Sequence, residues 1–172
     1  FIPNPPSLPL LEVALKNVSP NPFKKLIVQA TPSKNPKGYF FIDENTCVSF
    51  PIGRLSPVEL EFYKFGGCIS LGDLKNNVRV PGVNKSLLLI VPTEVGHIER
   101  SVIGNEHEVS RVLGISLKTV IERVRVLSRR DEIGRTGVFL NYKLAPWESF
   151  SEALNKIAEK NPIVRRRLAG VL

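Results

Sequence analysis

The spacing of apolar positions changes near Pro92. Before it, apolar residues come in short runs bounded by turn formers, which predicts strands. Leu10 to Val18 (LLEVALKNV) mixes apolar and polar residues as a short strand does. Leu26 to Ala30, Tyr39 to Asp43, Val48 to Ile52, Cys68 to Leu71 and Val78 to Val80 predict further strands. Leu87 to Val91 (LLLIV) is the strongest candidate for a buried one. Phe1 to Pro9 is proline-rich and reads as an extended arm, and Ser19-Pro20-Asn21-Pro22 must break regular structure. One helix interrupts the strands. Ser56 is a cap, Pro57 suits the first helical position, and Glu59 stands where a capping-box carboxylate belongs. It runs to about Phe65, and Gly66-Gly67 ends it.

After Pro92 the pattern turns helical. Thr93 to Val102 predicts a helix or a linker, and Gly134 to Leu144 a wing strand or a loop. Phe150, Ala153, Leu154 and Ile157 are spaced for one face of a late helix, which Asn161-Pro162 interrupts. The expected fold is α+β: a small sheet-rich N-terminal domain over residues 1–94, then an all-helical domain over residues 95–172.

The most informative stretch is Glu106 to Ile133, which has the layout of a helix-turn-helix. Val109, Val112 and Leu113 give a short first helix its apolar face. Ser110 is small where the second helix must approach. Gly114 supplies the left-handed residue that ends a helix, and Ile115 can plug the corner. Ser116 is a good N-cap for a second helix from about Leu117 to Arg130, buried along Val120, Val124 and Leu127. Ser116, Leu117, Lys118, Thr119 and Arg123 are expected to face a DNA groove, with Arg111, Arg125, Arg129, Arg130 and Arg135 near phosphates.

Charge strengthens this reading. The 172-residue chain has a net charge of +8, which suits a polyanionic partner. Between Val109 and Ala145 there are eight basic and three acidic residues. Arg165-Arg166-Arg167 suit either phosphate contacts or a solvated chain end. Cys47 and Cys68 are the only cysteines and are expected to be ordinary buried thiols. His97 and His107 lie far from any cysteine in sequence, so no metal site is expected. No nucleophile stands beside a base, and adjacent Asp43 and Glu44 point to opposite faces of a strand, so no enzyme is expected either. No apolar run reaches membrane-span length, which makes a cytoplasmic protein without a membrane partner the expectation.

Two stretches together resemble the ParB-like partition proteins. Val13 to Phe23 (VALKNVSPNPF) resembles the opening strand and proline-asparagine-proline turn of that family's N-terminal domain, and Gly114 to Ile133 resembles its helix-turn-helix. Gly38 to Asp43 looks like the strand preceding the family's nucleotide motif. There the likeness stops. Asp43, Glu44, Asn45 and Thr46 follow where the family has a glycine and an arginine pair, and two carboxylates repel a triphosphate. No nucleotide or other cofactor is therefore expected. The resemblance implies plasmid or chromosome partition at the nucleoid or plasmid. The partners would be double-stranded DNA and either a second copy of the chain or a partition partner protein. Two alternatives remain. Thr119 to Leu144 also resembles the winged-helix unit of Lrp/AsnC regulators, although that family puts its helix-turn-helix first. The helical hairpin could also serve a protein–protein adaptor.

Overall fold

A computed structural model describes residues 7–134 and 137–168. The elements in chain order are α1 (Leu8–Val18), β1 (Lys24–Gln29), β2 (Lys37–Phe41), β3 (Cys47–Pro51), α2 (Pro57–Phe65), α3 (Leu71–Lys75), β4 (Gly82–Val83), β5 (Leu88–Pro92), β6 (His97–Ser101), α4 (Glu106–Leu113), α5 (Leu117–Ile133), β7 (Leu140–Lys143), α6 (Phe150–Lys160) and α7 (Pro162–Arg167). The fold is mixed α and β, but its division differs from the expected one. One compact unit combines residues 1–55 with 136–172; the other spans 56–135. The expected boundary at 94/95 falls between β5 and β6, which are hydrogen-bonded neighbours. The second unit is not all-helical, and α6 and α7 belong to the first.

In the first unit a four-stranded antiparallel sheet has the order β3-β2-β1-β7. Its inner face carries Ile27, Phe40 and Phe50, packed with Leu11 and Leu15 of α1, Phe150, Leu154 and Ile157 of α6, and Val164 of α7. Phe50 and Phe150 meet edge to face with centroids 5.1 Å apart. Burying each such ring is worth roughly 1.5–3 kcal/mol. Gly38 is required by this packing. It pairs with Phe50, and a Cβ there would lie 2.3 Å from the Phe50 ring.

The stretch Leu10 to Val18 is helical, not a strand. Ser7 accepts from the Leu10 N–H as N-cap, Pro9 sits in the first turn, and Leu11 and Leu15 fall one turn apart on the buried side. A period of 3.6 therefore overrides the local mixing of apolar and polar residues. Glu12, on the same helix, is buried for a tertiary reason. Its carboxylate accepts from the backbone N–H that opens α6, at Phe150 (3.1 Å), and lies 3.6 Å from buried Lys25. The Lys25 ammonium donates in turn to the carbonyl of Glu148. The Glu148 carboxylate accepts from Lys156 (2.6 Å), the Ala145 N–H (3.2 Å) and the Tyr142 hydroxyl (3.1 Å).

In the second unit β4, β5 and β6 form a small antiparallel sheet. Leu87, Leu89 and Val102 share a core with Phe65 of α2, Val109 of α4, and Ile115 and Val120 at the α4–α5 corner. The helix expected from Ser56 forms with its full capping box. Other expectations fail. Cys68 to Leu71 and Val78 to Val80 are not strands; Leu71–Lys75 is a short helix capped by Ser70 and Asp73. Thr93 to Val102 contains an edge strand, with all five of its residues exposed. Both cysteines are exposed rather than buried. Among the described residues, no helix is long and apolar enough to cross a membrane.

Candidate nucleic-acid interface

The corner between α4 and α5 forms as the sequence dictates. Gly114 adopts φ 59°, ψ 43°, and its N–H closes back on α4. Ser110 donates its hydroxyl to the Ile115 carbonyl at 2.7 Å, which holds the turn in place. Ile115 is buried, as a plug must be. Ser116 caps α5 by accepting from the Thr119 N–H.

The interior of α5 is set by α2 as well as by α4. Val120 is fully buried, with Val124 and Leu127 beside it. Glu61 of α2 reaches the start of α5 and accepts from the Ser116 N–H (3.2 Å), the Ser116 hydroxyl (2.7 Å) and the Thr119 hydroxyl. Three donors hold its pKa below the ordinary glutamate range, the Thr119 hydroxyl most strongly. The arrangement places a negative charge at a helix N-terminus, where free N–H groups and the helix dipole favour it.

Two residues expected in the groove are therefore elsewhere. Thr119 is only 1% exposed and belongs to the α2 contact. Arg123 is half-buried, its guanidinium 5.5 Å and 5.6 Å from the ring centroids of Phe62 and Phe65. Burial first, and then neighbouring Arg130, lowers its pKa. Its Nε is buried and makes no hydrogen bond. Arg123 thus serves the packing of α2 on α5. Ser116 is exposed, but its hydroxyl and N–H are both engaged by Glu61. Leu117 is half-buried.

The remaining basic residues do present themselves. Lys118, Arg125, Arg129 and Arg130 are exposed on α5, and Arg111 is exposed in the last turn of α4. At about 100° per residue, Lys118, Arg125 and Arg129 fall within about 40° of one another around α5. Exposed Ile121 flanks this stripe. Arg135 lies outside the described residues.

Glu61, Phe62 and Phe65 carry no local sequence signal for this contact. They sit more than fifty positions upstream of their partners, and nothing in the local pattern of α2 marks which face will meet α5. The strand expected as a wing is also absent from this unit, since β7 pairs with β1 in the other one. The positive charge is distributed differently too. The unit holding α5 has twelve basic and ten acidic residues, whereas the other has twelve and six. No protein-family model matches the chain, and no curated protein or solved structure matches it either.

Proposed function

We propose that this chain binds double-stranded DNA through α4 and α5. The observation that carries the reading is the exposed stripe of Lys118, Arg125 and Arg129 on a helix that begins at a left-handed glycine corner. Such a helix can lie in a major groove, with Lys118 near base edges and the arginines toward phosphates. Within this reading, a ParB-type role in plasmid or chromosome partition rests on the likeness of Gly114 to Ile133 to that family's helix-turn-helix. The likeness of Val13 to Phe23 lends it no support, because Leu8–Val18 is helical. The Lrp/AsnC reading loses its wing, because β7 belongs to another sheet.

The test is titration of the whole chain with duplex DNA at low and at moderate salt. Affinity should fall steeply with salt, because bound phosphates release counterions. Lys118→Ala with Arg125→Ala should weaken binding and flatten that dependence. Absence of duplex binding at both salts would transfer the reading to an adaptor that binds a DNA-bound partner protein.

A further inference from the structure

The open face of the four-stranded sheet has a chemistry that the proposed duplex interface does not use. Strand alternation sends Ile27, Phe40 and Phe50 to the helix-covered face. It sends Lys24, Leu26, Val28, Tyr39, Phe41, Asn141 and Lys143 to the other, as the pairing register requires. Leu26, Val28, Tyr39 and Phe41 are half-buried and belong to neither buried core. Tyr39 and Phe41 stand two apart on β2 with their rings stacked, centroids 6.4 Å apart and planes 26° from parallel. Lys24 is directly opposite Phe41 and holds its ammonium 4.3 Å from that ring's centroid. The same ammonium is 5.6 Å from the ring of Phe23, which is 55% exposed. Lys143, on β7, is exposed across from Leu26.

We infer that this face binds single-stranded DNA. An aromatic ring standing on an open sheet offers a π surface to any unstacked base, and lysines beside it meet the phosphates. A duplex keeps its base faces inside its own stack and cannot use such rings. Charge complementarity favours a polyanion. The strand positions of this face include Lys24, Lys37 and Lys143 and no acidic residue, in a unit of twelve basic against six acidic residues. The Lys24 ammonium already on Phe41 marks that ring as a partner for cations, and it is close enough to trade the ring for a phosphate when a base stacks. Stacking and phosphate contacts need no 2′-hydroxyl, so DNA is the occupant these groups suffice for. The inference does not depend on α5 binding duplex, since the residues belong to a different unit.

The experiment is fluorescence anisotropy of the whole chain with a short labelled oligodeoxythymidine, the matching oligouridine and a duplex, at low and moderate salt. Wild type should bind the oligodeoxythymidine in a salt-dependent manner. Tyr39→Ala and Phe41→Ala should each weaken it about tenfold. Phe41→Leu, which keeps apolar area but removes the π face, should weaken it similarly and guards against loss by misfolding. Lys24→Gln with Lys143→Gln should weaken it and flatten its salt dependence. None of these should change duplex binding, and Arg125→Ala with Arg129→Ala should leave the oligodeoxythymidine affinity intact. Three outcomes overturn the inference: no oligodeoxythymidine binding at low salt, binding indifferent to both the Phe41→Leu and the lysine variants, or tighter binding of oligouridine.

Discussion

Glu61 accepts hydrogen bonds from both the backbone N–H of Ser116, at 3.2 Å, and its hydroxyl, at 2.7 Å. A carboxylate from α2 therefore sits where an incoming phosphate would find the first free donors of α5. Glu61→Gln keeps the side-chain volume but removes the charge. It should lower unfolding free energy by about 1 kcal/mol, the usual scale of a cap or a partly exposed hydrogen bond. If α5 docks on DNA, the same variant should bind duplex more tightly at low salt. Urea denaturation beside a duplex titration separates the two effects; an unchanged duplex affinity would leave Glu61 a structural cap alone.

Arg123 and Arg125 are two residues apart but should behave oppositely. Arg123→Ala removes a guanidinium from the rings of Phe62 and Phe65 and should cost about 1–2 kcal/mol of stability without changing the salt slope of duplex binding. Arg125→Ala should leave the melting temperature within error and reduce that slope by about one. Reversed results would mean that the exposed stripe is not the binding face.

Gly38 lies under the Phe50 ring with no room for a methyl group. Gly38→Ala should destabilise the protein by about 1–3 kcal/mol through overpacking. Phe50→Leu should make the added methyl less costly, so the two changes should be non-additive in thermal melts. Simple additivity would show that Phe50 moves aside freely.

Acid should destabilise the fold through Glu148 and Glu61. Lys156 first, then the Ala145 N–H and the Tyr142 hydroxyl, hold Glu148 below the ordinary glutamate value of 4.5. A carboxylate whose folded pKa is depressed contributes stability that is complete above that value and is lost as pH falls through the folded one. The partner behaves in the mirror sense: the hydrogen bond to Glu148 raises the pKa of Lys156, so its contribution is complete below the ordinary lysine range and is lost above it. Melting temperature against pH should therefore be flat near neutrality and fall on the acid side from about pH 4.5. In Glu148→Gln the acid-side fall should be shallower.

Local chemistry was legible from the residues themselves. Ser56 with Glu59, Ser116 and Gly114 announce the ends of α2, α4 and α5 because each satisfies backbone groups within a few positions of itself. The apolar spacing of Phe150, Ala153, Leu154 and Ile157 likewise fixes the buried face of α6. Leu10 to Val18 reads as a strand because its alternation and its helical stripe coexist, and only the contact of Leu11 and Leu15 with the core decides between them.

The remaining relationships are non-local. The pairing of Leu26 with Lys143 moves β7, α6 and α7 into the first unit, and no short-range pattern encodes a partner more than a hundred residues away. The roles of Thr119 and Arg123 were decided by α2, which takes one face of α5 and leaves Lys118, Arg125 and Arg129 on another. Short-range signals in the chain fix the start of α2, the glycine corner between α4 and α5, and which elements are basic. The packing of distant elements determined which of those basic side chains remain for a ligand, because a helix or strand has more polar faces than the fold leaves exposed.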